Sequence, residues 1–366
     1  MLTVGKGLQH YAEGEVIEQL AASRVEALLG KVFFTTAAAP SKVLHLRSCE
    51  RVMALVAREE DGGSFVHRDE DATIRAIVAK LTHGQDAWSD ALATVLDAGR
   101  LERDADVTFR ISAKISSDLK ATVGREALMQ AVGAAVAKQM GWRIELRRPA
   151  VDVVLQLSRE RLLVALPLSR DPVSKMSRVW TESGLRGPVA WALGRATMIK
   201  PGDRVLDPMC GTGTCLIEAA MCVAGATYIG VERDPTQVRR CEDNIAAAGL
   251  EGTVSVVEGD ATALVMDEGA IDVIVCDMPF NQQHVCNIRR EYPMMLSEMA
   301  RVAKDNARAA LLTATASLPL AAEWEEAGGG AVETSLGATR AYMHVLRRKP
   351  RAKPGTMDER MSGMST

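Results

Sequence analysis

The chain has 366 residues, 47% hydrophobic and 25% charged, with a formal net charge of −3. Such a length suits two or three domains with a sizeable core, and the near-neutral balance excludes nucleic-acid binding by bulk charge, leaving only local patches. Seven cysteines without a CxxC pair point to free buried thiols in a reduced compartment, and six scattered histidines offer no metal site. No run reaches the ~20 apolar residues of a membrane span, and the first ten positions, with Lys6 among them, lack the apolar core of a signal peptide. A soluble intracellular protein is expected.

In chain order, the first 60 residues read as strand, helix, strand, helix. Gly7 to Leu20 has helical spacing, Val32-Phe33-Phe34-Thr35-Thr36 is a β-rich run, and Val43 to Val56 is again helical. Residues 69–99 form an amphipathic helical stretch with Ile74, Ile77, Val78 and Leu81 on one face. Val107 to Ala113 alternates as a strand, and Arg125 to Met140 is a helix that Gly141 is placed to end. Ile144 to Leu146, Val151 to Leu157 and Leu162 to Leu166 complete an α+β region over 61–170. Residues 171–187, with Pro172, Gly184 and Gly187 among basic and polar residues, read as a linker. From 188 to 349 apolar strands and helices alternate, the signature of an α/β doubly wound parallel sheet, and a polar tail follows over 350–366.

The α/β region carries the chemistry. Val205-Leu206 runs into Asp207-Pro208-Met209-Cys210-Gly211-Thr212-Gly213, and a helix begins near Thr214. Glycines at this turn let the backbone approach a nucleotide-like ligand where such sheets bind one. Leu216 stands where the dinucleotide fingerprint needs its third glycine, which weakens a nicotinamide reading, while Asp207 suits a cationic methionine moiety. The next strand, Thr227 to Val231, ends at Glu232, on the order of 20 residues beyond Asp207, where a carboxylate accepts ribose hydroxyls. A third strand, Val254 to Val257, leads to Asp260, where an adenine amino group would lie. Arg233 and Ala261 complete this cofactor set, which reads as that of S-adenosylmethionine.

Ile271 to Cys276 is an apolar run closed by Asp277-Met278-Pro279-Phe280. An exocyclic amine on a base is a poor nucleophile because its lone pair is delocalised. Acceptors that hold both N–H groups aim that lone pair and draw the nitrogen toward tetrahedral geometry. The Asp277 carboxylate and a backbone carbonyl of the Met278-Pro279 turn are natural acceptors, since proline leaves carbonyls exposed without adding a donor. Phe280 would stack on the flipped base. Asp277, Pro279 and Phe280 are thus the candidate catalytic residues, Asp277 also bordering the cofactor.

These residues resemble the THUMP-domain RNA guanine-N2 methyltransferases over nearly the whole chain. Gly30-Lys31-Val32-Phe33-Phe34-Thr35-Thr36, Ser48-x-Glu50-Arg51, Gly141-Trp142, and Gly184-Leu185-Arg186 followed by Ala190-Trp191-Ala192 look closest to the branch that methylates U6 small nuclear RNA rather than tRNA. The resemblance implies a ferredoxin-like segment over 1–60 and a THUMP-like RNA-binding domain over 61–170. It further implies a Rossmann-like methyltransferase domain over 188–349 and a small zinc-binding activator subunit as partner. It places the protein in the nucleus or the cytoplasm, the nucleus favoured. The family continues Asp-x-Pro-Phe with Gly and a basic residue, whereas Asn281-Gln282-Gln283-His284 follows here. That departure leaves a non-catalytic RNA-binding scaffold open as one alternative and a tRNA-directed enzyme as another.

For RNA contact, the stretch Arg110 to Arg148 holds eight basic residues against three acidic ones. Arg110, Lys114, Lys120, Arg143, Arg147 and Arg148 are candidate phosphate partners, each with a solvated charged face as the bland reading. Lys175, Arg178, Trp180 and Arg186 in the linker are candidates nearer the target base, Trp180 as a stacking side chain. Arg347-Arg348-Lys349-Pro350-Arg351-x-Lys353 reads as a nuclear import signal or as the end of the last strand.

Overall fold

The computed structural model describes residues 1–102, 106–176, 184–280, 288–320, 322–337 and 339–351. The chain forms two compact units, one from Met1–Val4 and Ala12 onward, the other from Gly5–Tyr11 and the second half of the sequence.

The first unit contains β1 (Leu2–Thr3), most of α1 (Gln9–Leu20), β2 (Ser23–Leu28), β3 (Lys31–Thr35), the single turn α2 (Pro40–Val43) and β4 (Arg51–Glu59). A 3-10 turn (Gly62–Phe65), α3 (Glu70–Thr82), α4 (Gln85–Asp97), β5 (Thr108–Ile115), α5 (Arg125–Met140), β6 (Arg143–Ile144), β7 (Val151–Leu157), β8 (Leu162–Pro167) and the turn α6 (Val173–Met176) follow. All eight strands join one sheet in the order β2-β3-β1-β4-β8-β7-β5-β6. The stretch 69–99 is two helices rather than one: Gly84 interrupts it as the N-cap position of α4, and the Asp69 carboxylate caps α3 by accepting the Ala72 N–H at 2.9 Å. Gly141, in the left-handed conformation at φ 70°, closes α5. Trp88 is fully buried and meets Trp142 edge-on at 6.0 Å, and Phe109 meets the same indole at 5.8 Å. Each such pair adds about 1 kcal/mol beyond its burial.

The expected helix over Val43–Val56 is instead β4, preceded by the one-turn α2. Val52 lies in one apolar cluster while Met53 lies in another, and Leu55 joins Met53 as Ala54 and Val56 face the opposite side. A strand with apolar clusters packed on both faces reads as a continuous apolar run, so its period of two is hidden and helical spacing is mimicked.

The second unit comprises α7 (Gly187–Ala196), β9 (Arg204–Asp207), α8 (Thr214–Ala220), β10 (Thr227–Glu232), α9 (Pro235–Ala247), β11 (Val254–Glu258), β12 (Ile271–Asp277), α10 (Ile288–Val302), β13 (Ala303–Thr313), β14 (Trp324–Glu326), β15 (Val332–Leu336) and β16 (Thr339–Arg348). Its sheet runs β11-β10-β9-β12-β13-β16-β14, with β15 also on β16. The strands from β9 to β13 pair in parallel, so the doubly wound Rossmann-like core is present. Two departures from strict alternation occur: a turn-rich loop, not a helix, joins β11 to β12, and β14, β15 and β16 pair antiparallel at the end. A short turn at Gly337 causes the second, because it returns the chain directly from β15 into β16 and leaves no length for a crossover helix, while Gly328-Gly329-Gly330 separates β14 from β15, which run in the same direction along β16.

The sheet buries one apolar layer on each face. Val205, Val273 and Val275 pack under α7 and α8, and Leu206, Ile274 and Cys276 pack under α10. Leu8, from the amino-terminal segment, joins the first layer. The basic run at the end is tied into this unit: Arg348 is buried and donates to the Ala300 carbonyl, and Arg351 pairs with Glu268 and Asp305. Among the described residues no helix is long and apolar enough to cross a membrane.

Candidate functional site

The switch point of the second sheet lies between β9 and β12, which start toward opposite halves of the strand order. Side chains alternate along a strand, so Asp207 points to the face of Val205, and Asp277 to the face of Val273 and Val275. Two carboxylates thereby share one face at the carboxyl ends of adjacent strands. Asp207 is 1% exposed and its Oδ1 accepts the Met209 N–H at 3.1 Å. Burial pushes its carboxyl up to about 8, with the neighbouring Asp277 charge adding to the rise. Burial likewise pushes Asp277 up to about 7, and its Oδ1 is buried with no hydrogen-bond partner among the described residues. An orphaned acceptor of this kind is costly unless a ligand completes it.

The glycine turn is built from the backbone. Cys210 N–H donates to the Val231 carbonyl at 3.0 Å and Gly213 N–H to the Cys210 carbonyl at 2.8 Å. Gly211 adopts φ 52° with open space where a side chain would stand, and Gly213, at φ 84°, caps α8. A Cβ on Gly213 would sit 2.5 Å from Cys241 Sγ, so glycine is required there on both grounds. Glu232 is tied to this turn: its Oε2 accepts the Gly211 N–H at 2.9 Å and its Oε1 the Asp234 N–H at 2.9 Å. Each carboxylate oxygen keeps a further lone pair for a ligand hydroxyl. Asp260 is exposed, and its Oδ1 accepts both the N–H and hydroxyl of Thr262, at 2.8 and 2.7 Å, which holds it below its usual value. Exposed Arg233 is close enough to lower it further.

The structure thus brings Asp207, Pro208, Cys210, Gly211, Gly213, Glu232, Arg233, Asp260, Ala261 and Asp277 to one edge of the sheet. Two of them face inward: the Cys210 thiol lies under Gly230, and the Ala261 side chain is in the core, so only their backbones line the turn. Phe280 packs on the layer beneath α7 and α8, the same face as Asp277. Residues that sequence reasoning passed over also hold the site. Asn244, buried on α9, donates to the Thr212 carbonyl at 2.9 Å, and a polar residue on the apolar stripe of Cys241 and Ile245 was its available signal. Tyr292 on α10 donates to the Pro279 carbonyl at 2.8 Å, with no signal in the sequence. Among the described residues no three of His, Cys, Asp and Glu are placed to hold a metal ion.

The basic candidates lie in the first unit and beside α7. Arg110 on β5 pairs with Asp152 at 2.6 Å, whereas Lys114, Lys120, Arg143, Arg147 and Arg148 are exposed. Lys31 joins them through the sheet: partial burial and the neighbouring Lys114 and Arg161 hold it below its usual value. Arg186, the N-cap residue of α7, reaches the Gly337 turn between β15 and β16. Arg178 and Trp180 lie outside the described residues, as do Asn281-Gln282-Gln283-His284.

Comparison with known proteins adds four findings. Residues 176–327 match the family described as RMKL-like, methyltransferase domain. The U6 snRNA (guanine-N(2))-methyltransferase THUMPD2 of Mus musculus is 27% identical, the alignment covering 82% of this chain and 71% of the mouse protein. A tRNA (guanine(6)-N2)-methyltransferase of Thermus thermophilus is 32% identical over 40% of this chain and 44% of its own. Among solved structures, TrmN from Thermus thermophilus shares the fold at a TM-score of 0.72, with 21% identity over 95% of this chain and 98% of that one. The resemblance drawn from the motifs is borne out by these matches, the methyltransferase match falling on residues 176–327.

Proposed function

We propose that the protein is an S-adenosylmethionine-dependent RNA methyltransferase forming N2-methylguanosine, with U6 small nuclear RNA as its target. The pair of buried carboxylates on one face, Asp207 and Asp277, with Asp277 Oδ1 lacking a partner among the described residues, is the observation that carries this reading. The residues fit the cofactor: an open glycine turn, a buried acid for a cationic amino-acid end, and carboxylates at the ends of β10 and β11. Asp207, Gly211, Gly213, Glu232, Arg233 and Asp260 would hold it. When bound, S-adenosylmethionine supplies a methyl group already activated on a sulfonium.

The chain's own part is positioning. Asp277 accepts an N–H of the guanine amine and draws its lone pair out of conjugation, and the same carboxylate takes the proton that nitrogen sheds. Phe280 stacks on the ring. Because no strong nucleophile has to be generated, orientation and electrostatics supply most of the rate. The first unit would act as the THUMP-like RNA-capturing module, with Lys114, Lys120, Arg143, Arg147 and Arg148 meeting phosphates. Partnership with a small zinc-binding activator subunit rests on the resemblance alone, and a nuclear location on the resemblance and on the U6 small nuclear RNA in the name of the mouse relative.

Methyl transfer from labelled S-adenosylmethionine to size-fractionated cellular RNA, by protein co-expressed with the activator, tests the reading. Label in the small nuclear fraction supports it, and label confined to tRNA moves the target while keeping the chemistry. Cofactor binding without label in any fraction would leave the scaffold reading in its place.

A further inference from the structure

Resting on that reading, the transfer reaction needs two acceptors for the two N–H groups of the target amine. Asp277 supplies one, and the turn after it offers two carbonyls, those of Met278 and Pro279. Their surroundings differ. The Tyr292 hydroxyl donates to the Pro279 carbonyl at 2.8 Å, and Tyr292 is fully buried in the layer beneath α10, with Cys276 and Met278. Asp277 points to the other face, toward Val273, Val275 and α8. The Pro279 carbonyl is therefore held toward α10, away from the carboxylate. No described residue donates to the Met278 carbonyl, while the Met278 N–H is fixed to the Leu312 carbonyl on β13 at 2.9 Å.

We infer that Tyr292 is a positioning residue of the methyl transfer: by fixing the Pro279 carbonyl on the α10 face it presents the Met278 carbonyl beside Asp277 as the second amine acceptor. The turn is then clamped at both ends. The strand side holds it through Leu312 and the helix side through Tyr292. Proline has no N–H of its own to add a hydrogen bond, so the tyrosine hydroxyl supplies the restraint the turn would otherwise lack. Losing it leaves the side-chain core intact but frees the Pro279-Phe280 peptide to rotate and loosens the turn that orients the Met278 carbonyl, and a displacement near 1 Å at a reacting group costs roughly 100-fold in rate.

Tyr292→Phe removes only the hydroxyl. Tyr228→Phe is the matched control, since Tyr228 is also fully buried and its hydroxyl donates to the Val223 carbonyl at 2.8 Å, beneath α8 and outside the site. Two readouts are taken on the protein with its activator: kcat, KM and cofactor affinity on RNA, and hydrogen–deuterium exchange of the peptide carrying the Met278 amide. Tyr292→Phe is expected to lower kcat by about 10- to 100-fold with cofactor affinity kept within about threefold, and to speed exchange at Met278. Tyr228→Phe is expected to leave kcat and that exchange as they were. Unchanged exchange at Met278 in Tyr292→Phe overturns the inference, as does an equal kcat loss in both variants. A wild type that methylates no RNA sinks the functional reading instead, and the exchange experiment still decides whether Tyr292 holds the turn.

Discussion

The raised pKa values of Asp207 and Asp277 make cofactor binding depend on pH in a definite direction. Burial holds Asp207 at about 8 and Asp277 at about 7 in the unliganded protein, against 3.8 for an ordinary aspartate. At pH 6 both are therefore mostly protonated and neutral. A ligand with a cationic amino-acid end needs Asp207 ionised, so the apparent affinity is reduced by the ionised fraction, which is about 1% at pH 6 and about 10% at pH 7. Affinity for S-adenosylmethionine should thus rise about tenfold, or ~1.4 kcal/mol, over that unit, with about one proton released on binding. The same numbers set the sign for stability. Both folded-state values lie above the unfolded one, so the unliganded fold keeps protons that the unfolded chain releases, and stability falls as pH rises from about 4 through 8. Calorimetric titrations at pH 6.0, 6.5 and 7.0, in buffers of different ionisation enthalpy, measure affinity and proton release together. Asp207→Asn should bind more weakly with a flatter pH response. An affinity constant within threefold across the range, without proton release, would refute the assignment of Asp207 to the cofactor.

Other expectations follow from particular contacts. Asp277→Ala should abolish transfer while cofactor affinity falls less than tenfold, and Asp277→Asn, which keeps an acceptor oxygen, should retain more activity than Ala; transfer assays beside calorimetry check both. Gly213→Ala forces a side chain into φ 84° and against Cys241 Sγ, so it should cost about 1–3 kcal/mol in denaturant unfolding and weaken cofactor binding. Trp88→Ala empties the centre of the first unit's core and should cost about 3–5 kcal/mol by the same measurement. Arg147→Ala with Arg148→Ala should weaken RNA binding evenly across sequences and lower the salt slope by about one per residue, as read by filter binding at several salt concentrations.

The gathering of the candidate cofactor residues at the carboxyl ends of the strands was legible because each strand ends in a polar residue after an apolar run: Val205-Leu206 before Asp207, Val231 before Glu232, and Val273 to Cys276 before Asp277. Such endings are local, and parallel pairing then brings them together. What pairing alone creates was not legible. Glu232 was assigned to a ribose from its position, but its bond to the Gly211 amide depends on the registry of β9 with β10. Lys31 meets Lys114 and Arg161 only in the folded sheet. Tyr292 lies in a helix whose sequence marks it as core, and its hydroxyl matters because of where the Pro279 carbonyl turns. β4 was misread because apolar clusters pack on both its faces, and the antiparallel end of the second sheet because its strands looked like the parallel ones before it.

The chemistry at Asp277 can be tested on a single nucleoside. RNA methylated by the wild-type protein with its activator is digested and separated, and the position of the new methyl group is determined by mass spectrometry, with Asp277→Ala alongside. N2-methylguanosine formed by the wild type and absent with the variant is the predicted result. Methyl label on N6 of adenosine, or N2-methylguanosine produced equally by Asp277→Ala, would contradict it.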